Sequence, residues 1–350
     1  MKILICLSNL TEYMVTYLRE IQSSDNSFLC FYLGEDQDNP LTDLKNAEEE
    51  FGNMLLNVQK LSSKEIWKNV QKFQPDLALT GGWNHSPYKK LHKKRNYISI
   101  LAMDNQWFGT FKQRGGQIFA QILIKPYFDG VLVPGSSQLK FAQKLGFKKE
   151  RIFKNLFPIN RRVFSDPPMI RERNKEFLFV GRLVSEKNIE LLAESYLEYR
   201  KAVENPWDLK IVGVGPLLNK IEHLPGVKLL GHLSHEKLVE EYRRCSCLVI
   251  PSRFEPWGIV VQEAASQGLA IISSNAVGSR FDLINHLKSG FILNECNLKQ
   301  MTEALLHMHL LSKDEIFEYF KESLKLSQKY EQSTFTDNLT SIYRALENEN

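Results

Sequence analysis

Short apolar runs alternate with longer amphipathic stretches along the whole chain. In the first half, "KILICLS", "SFLCFYLG", "PDLALTGG", "NYISILAMD", "DGVLVPG" and "RIFKNLF" are apolar runs bounded by turn residues, which predicts strands. Between them, "LTEYMVTYLREI" and "SSQLKFAQKLGF" carry helical spacing. The proline-bearing, charged stretch "SDPPMIRERNKE" (Ser165 to Glu176) breaks the pattern and reads as a linker. The alternation then restarts with "EFLFVGRL", "LKIVGVG", "VKLLG", "CLVIPS", "LAIISS" and "GFIL", and the chain from about Leu298 onward reads as helical. Strands that are apolar on both faces and alternate with helices predict parallel sheets covered on both sides. The expected architecture is α/β, with two doubly wound Rossmann-like domains in tandem. In such sheets ligands lie beyond the carboxyl ends of the strands, and a cleft between two such domains is the natural site.

Composition narrows the classes. The chain has 350 residues, which suits two domains, and its hydrophobic fraction is that of an ordinary globular protein. No run of 18 apolar residues predicts a spanning helix, and "MKILICLSNLTEY" reads as a first buried strand rather than a leader. Five scattered cysteines suit buried thiols in a reducing compartment. Cys245-x-Cys247 lacks a second pair at zinc spacing, so no metal and no cofactor is expected. Asp36-x-Asp38 in "GEDQDNP" reads as a solvated turn rather than a divalent-metal site. Charge is uneven: residues 84–162 hold sixteen Lys or Arg against three acids, whereas acids exceed bases before them. Such a block suits an anionic partner or a solvated face. In it, "YKKLHKKR" packs Lys89, Lys90, Lys93, Lys94 and Arg95 into one turn-rich stretch. The following "GQIFAQILIKPYF" sets Ile118, Phe119, Ile122 and Leu123 at helical spacing, which fits either a core helix or one lying on a membrane.

Two segments carry chemistry. "PSRFEPWGIVVQEAASQGLAII" places Glu255 in the loop after a strand and Glu263 in the helix that follows, with Gly268 as a cap. Eight residues of helix would span about 12 Å, close to the reach from a hexose to a ribose. The N–H groups of Gly258, Ile259 and Val260 at the helix start make a phosphate seat. "FVGRLVSEKNIELL" ends a strand at Gly181, then sets Arg182 and Lys187 at the start of a helix. Two cations there suit a diphosphate, although a pair of surface cations has the same spacing.

Residues from about Phe177 to Leu293, through "VGRLVSEKN", "LKIVGVGP", the E-x7-E run and "GSRFDLINHLKSGFIL", resemble the nucleotide-sugar domain of family-4 retaining glycosyltransferases of the GT-B fold. "GGWNH", "MDNQWFGTFKQ" and "VPGSSQLKFAQKLGF" are similar to bacterial enzymes that build surface polysaccharide. The resemblance implies two Rossmann-like domains facing a cleft: residues 1–165 for the acceptor, a linker at 166–176, and 177–328 for the donor. A helix at 329–350 would cross back to the first domain. It implies Arg182 and Lys187 on the donor diphosphate, with Gly181 beside them, and Glu255 on the sugar. The backbone of Trp257, Gly258, Ile259 and Val260 would lie alongside, Glu263 on the ribose, and the turn at His232 and Leu233 near the base. Where relatives carry a glycine pair after the first strand, this chain has Ser8 and Asn9, and where many carry a glutamate it has Asp282. Asp104 and Asn105 stand where the family has a histidine facing the sugar, and His85 ends the preceding strand. Asp104 is the candidate for positioning groups at the anomeric carbon; His85 and Asn105 are acceptor-side candidates.

The implied reaction moves a sugar from a UDP- or GDP-linked donor, a substrate rather than a cofactor, to a glycan or lipid-linked acceptor without a metal. A nucleotide-sugar epimerase and a non-catalytic sugar-binding module remain as alternatives. The expected setting is cytoplasmic, with peripheral contact at an anionic inner-membrane face and no nucleic-acid partner.

Overall fold

The computed structural model describes residues 1–35, 44–81, 85–93, 95–165, 167 and 173–348. Asp36, Asp38, Lys94 and residues 166 and 168–172 of the stretch read as a linker lie outside these. The chain divides into two compact units, Met1–Pro158 with Ser333–Asn350, and Ile159–Gln332. Residues 159–165, assigned above to the first domain, therefore belong to the second unit, and the change of unit falls at Pro158 rather than at the charged stretch.

Among the described residues the first unit holds a seven-stranded parallel sheet. Its strands are β1 (Lys2–Leu10), β2 (Ser27–Glu35), β3 (Leu55–Asn57), β4 (Leu77–Gly81), β5 (Ile98–Ala102), β6 (Gly130–Leu132) and β7 (Ile152–Phe153). Their order is β3-β2-β1-β4-β5-β6-β7. Consecutive buried residues such as Ile3, Leu4, Ile5 and Cys6 show why β1 reads as a continuous apolar run: both its faces are covered. β3 is absent from the sequence reading because it has three residues between two single-turn 3-10 helices, too few to show a period. The basic run is not turn-rich but a helix, Ser86–Lys93, with Tyr88, Leu91 and His92 buried. The C-terminal helix Phe335–Glu347 packs on Glu12–Gln22. Phe335 stacks on Tyr17 at 4.3 Å, and Thr336 donates through N and Oγ1 to Glu20, each at 2.8 Å.

The second unit repeats the plan. β8 (Asn174–Val180), β9 (Asp208–Val212), β10 (Val227–Gly231), β11 (Cys245–Ile250), β12 (Ala270–Ser274) and β13 (Gly290–Leu293) lie in the order β10-β9-β8-β11-β12-β13, all parallel. Phe177, Phe179, Tyr196, Tyr199, Trp207, Met301 and Leu305 fill the core on one face. The order reverses between β8 and β11, so the loops leaving these two strands diverge and leave a crevice at their carboxyl ends.

Candidate functional site

Those two loops carry the residues singled out above. The first leaves β8 through Gly181, Arg182 and Leu183, makes one turn at Ser185–Lys187, and enters the helix Ile189–Ala202 through Asn188 in a left-handed conformation (φ 59°). It is pinned from one side by the loop after β9. Gly181 N donates to Val212 O at 2.9 Å, Leu183 N to Val214 O at 2.9 Å, and Leu217 N to Leu183 O at 3.0 Å. The approach is close enough that a Cβ on Gly213 would stand 1.9 Å from Gly181 O, which explains the glycine in "VGVGP". From the other side, Arg253 N donates to Glu186 O at 2.8 Å and Asn188 Nδ2 to Pro251 O at 3.2 Å, while Arg253 Nε reaches Asn188 Oδ1 at 3.1 Å.

This stitching brings Lys187 Nζ onto the Glu255 carboxylate, with Ser252 Oγ 3.4 Å from the same oxygen. Both partners are partly shielded, which strengthens an ion pair relative to one in open water. Arg182 sits half-buried one residue past Gly181. Glu255 is fixed through its backbone too: its carbonyl accepts from Gly278 N at 3.0 Å, and Trp257 O accepts from Ser279 N at 3.0 Å. The loop after β12 is thus a third wall, and Ser279 Oγ is buried there with no hydrogen-bond partner.

Gly258 (φ 89°) turns the chain into the helix Ile259–Ser266, so Glu255 is in the loop and Glu263 in the helix. The first N–H groups of a helix have no acceptor within it and carry its positive dipole end, and those at Ile259 and Val260 open this helix. The Trp257 side chain is buried, donating to Gln262 Oε1 at 2.6 Å and packing on Tyr330. Only its backbone is placed to serve a ligand. Glu263 accepts from the Tyr242 hydroxyl at 3.0 Å. Burial pushes its carboxyl above the usual range, partly opposed by the charge of His235 and by the Tyr242 bond. His232 and Leu233 follow Gly231 (φ 64°) at the end of β10, the edge strand, with His232 exposed. Asp282 is buried, with Lys329 Nζ 3.7 Å from Oδ1 and the Tyr330 hydroxyl beside it. Its carboxylate is thus engaged within the unit.

The remaining candidates belong to the first unit. Asp104, half-buried, and Asn105, exposed, follow β5; Ser8 and Asn9 lie within β1. His85 precedes the helix Ser86–Lys93, edge-on to Tyr88, and burial lowers its pKa. His92 is a core residue. It lies between Thr80 Oγ1 (2.8 Å) and Ser99 Oγ (3.1 Å), and its pKa is pushed down to about 3, mainly by burial and secondarily by Arg95, against an opposing Asp129. Among the described residues no group of three or more His, Cys, Asp or Glu could hold a metal ion. Sequence reading passed over Asn188, Ser252 and Arg253. All three were visible in "SEKN" and "PSRFE", but their work is to tie loops together, and spacing alone does not reveal it.

Residues 160–325 match the family model described as glycosyl transferases group 1. The chain is 35% identical over 127 residues to the GDP-mannose-dependent alpha-mannosyltransferase of Corynebacterium glutamicum, covering 36% of this chain and 29% of that protein. It is 28% identical over 178 residues to the alpha-D-kanosaminyltransferase of Streptomyces kanamyceticus, covering 48% and 45%. In both, the match spans less than half the relative's length. Among solved structures, HepE of Anabaena in complex with UDP superimposes with a TM-score of 0.74 at 12% identity, over 99% of this chain and 100% of that one. At that identity the likeness is one of fold, and that fold is GT-B: two parallel-sheet, Rossmann-like units.

Proposed function

We propose that the chain is a retaining, metal-independent glycosyltransferase of family 4 that moves a sugar from a nucleoside-diphosphate donor to an acceptor hydroxyl. Its product would be a glycan or surface polysaccharide. The observation that carries this reading is the Lys187–Glu255 pair, with Arg182 in the same loop as Lys187, where β8 and β11 diverge above a helix start. A diphosphate entering there competes with Glu255 for the Lys187 ammonium. The match of residues 160–325 supports the same reaction class, and the relatives named for GDP-mannose and bound to UDP support a GDP- or UDP-linked donor.

In the reaction the bond from the anomeric carbon to the diphosphate oxygen breaks, and a bond to the acceptor oxygen forms on the same face. The acceptor proton passes to the departing phosphate. The demanding charge is the one developing on that phosphate. Arg182, Lys187 and the N–H groups at Ile259 and Val260 would stabilise it electrostatically. Glu255 would hold the sugar and Glu263 the ribose, with His232 and Leu233 beside the base. Asp104 would position groups at the anomeric carbon, and His85 and Asn105 would serve the acceptor side. An epimerase would need acid–base groups around the sugar ring, and among the described residues no group of three or more His, Cys, Asp or Glu gathers in one place.

The test is incubation with UDP-, GDP- and ADP-sugars without acceptor, with and without excess EDTA. Slow release of nucleoside diphosphate from one donor, unchanged by EDTA, is expected. An altered sugar on intact nucleotide would establish the epimerase, and a loss restored by Mn²⁺ would overturn the metal-free mechanism.

A further inference from the structure

We propose that the outward face of the helix Phe111–Leu123 docks this protein on the interface of an anionic lipid bilayer. An amphipathic surface helix normally turns its apolar stripe inward. Here the stripe faces out. Ile118, Phe119, Ile122 and Leu123 are 73%, 59%, 71% and 50% exposed, and Phe111 at the helix start is 93% exposed. Only Ala120 of the helix is buried. At 100° per residue, Phe111, Gly115, Ile118 and Ile122 fall within about 60° of one another, with Phe119 and Leu123 beside them and Ala120 nearly opposite. Phe108, just before the helix, is also exposed. Contiguous large apolar side chains in solvent mark an interaction surface rather than ordinary exposure.

Charge selects the occupant. Residues 105–128 contain no Asp or Glu. Arg114 borders the apolar arc on one side, exposed Lys112 lies at its other side in the first turn, at an angle between those of Phe119 and Leu123, and exposed Lys125 follows the helix end. The turn Lys125–Tyr127 packs against the helix Ser86–Lys93, which adds exposed Lys90 and Lys93. An apolar arc on a helix that carries cations and no acid matches an acyl layer beneath anionic headgroups: the helix lies flat, its apolar side chains sink below the headgroups and the cations stay among them. The helix has 13 residues, and no described helix is long and apolar enough to cross a membrane, so the contact is peripheral. The inference rests on this face alone and stands whether or not the second unit binds a nucleotide sugar.

The full chain would be co-sedimented with vesicles of phosphatidylcholine and of phosphatidylcholine with equal phosphatidylglycerol, at low and high salt. The bound fraction should be roughly tenfold higher on the anionic vesicles and should fall with salt. A Phe111→Ser, Ile118→Ser, Phe119→Ser, Ile122→Ser variant should lose binding while keeping its circular dichroism and thermal melt, because the buried Ala120 and Ile124 are untouched. Lys112→Glu, Arg114→Glu, Lys125→Glu should lose it as well. Ile122→Trp, close to neutral for folding, should give a blue-shifted emission on anionic vesicles alone. No sedimentation with anionic vesicles would overturn the proposal, as would equal binding to neutral ones. A lipid-free dimer that the serine variant abolishes would also overturn it and assign the face to a second copy of the chain.

Discussion

The two sheets share the order of their first six strands, yet the groups at their carboxyl ends are unlike. In the second unit the loops after β8, β9, β11 and β12 are tied backbone to backbone, and within that frame stand Arg182, Lys187 and Glu255. In the first unit β1 runs through Ser8 and Asn9 to Leu10 with no glycine, and the helix Glu12–Gln22 follows at once. The conspicuous feature of that unit is instead a helix whose apolar side chains meet solvent. If both proposals hold, one topology serves two physical tasks. Holding a charged ligand demands rigid loops and close backbone approach, which only glycine allows; meeting a soft, variable partner demands exposed side chains and little else.

The sharpest way to break this comparison is to remove the cations of the second unit. Arg182→Ala and Lys187→Ala should each lower turnover by roughly 10²–10³, the usual effect of losing one preorganised donor to a developing charge. Urea unfolding should move little by comparison, since both residues are half-buried in the loop leaving β8 rather than in the core. Turnover near that of the wild type in both variants would leave the second unit as a scaffold like the first.

The strand plan of both sheets was legible because strands buried on both faces read as apolar runs, and only three-residue β3 escaped. The positions of Glu255 and Glu263, loop and helix, were legible from the strand end and from helical spacing. Three things were not. Periodicity is blind to which side of a helix meets protein, so residues 111–123 read equally as core. The burial of His92 was hidden in the basic run, whereas His85, the histidine singled out in the sequence, is half-exposed. The change of unit at Pro158 carries no break in composition, whereas the charged stretch after Ser165 does.

A second test bears on rigidity. Gly213→Ala would set a Cβ 1.9 Å from Gly181 O, backbone against backbone, at φ 137°. Neither atom can yield without moving the loop that carries Arg182, so destabilisation of about 3 kcal/mol is expected. A urea midpoint close to that of the wild type would show that the loops of the second unit are no stiffer than those of the first.

Acid should act first on the other unit. His92 is held neutral, with a pKa of about 3 in the folded chain against 6.5 for the free side chain. Between these values the unfolded chain binds a proton that the folded chain does not. The stability from His92 is therefore complete above pH 6.5 and is lost as pH falls toward 3, at up to about 1.4 kcal/mol per pH unit. His92→Gln should be less stable at pH 7 but should flatten this slope. Hydrogen exchange at pH 5 should show β4 and β5 losing protection before β8 and β11, and an unchanged slope in the variant would locate the acid-sensitive group elsewhere.

The smallest effect sets glycine against glycine. Gly115 and Gly116 lie inside the helix Phe111–Leu123, and a Cβ on either would meet nothing within 4 Å. No close approach requires them, in contrast to Gly213. They cost the helix backbone entropy, so Gly116→Ala should stabilise it by about 0.5–1 kcal/mol. Slower amide exchange across residues 111–123 would be the readout, with no change expected at the β8 and β11 loops. The same chemical change would then destabilise one unit and stabilise the other, because in one the missing side chain makes room for a backbone and in the other it leaves a helix looser in solvent. If Gly116→Ala instead speeds exchange, the helix is packed against something its exposed face does not reveal, and the contrast between the units narrows.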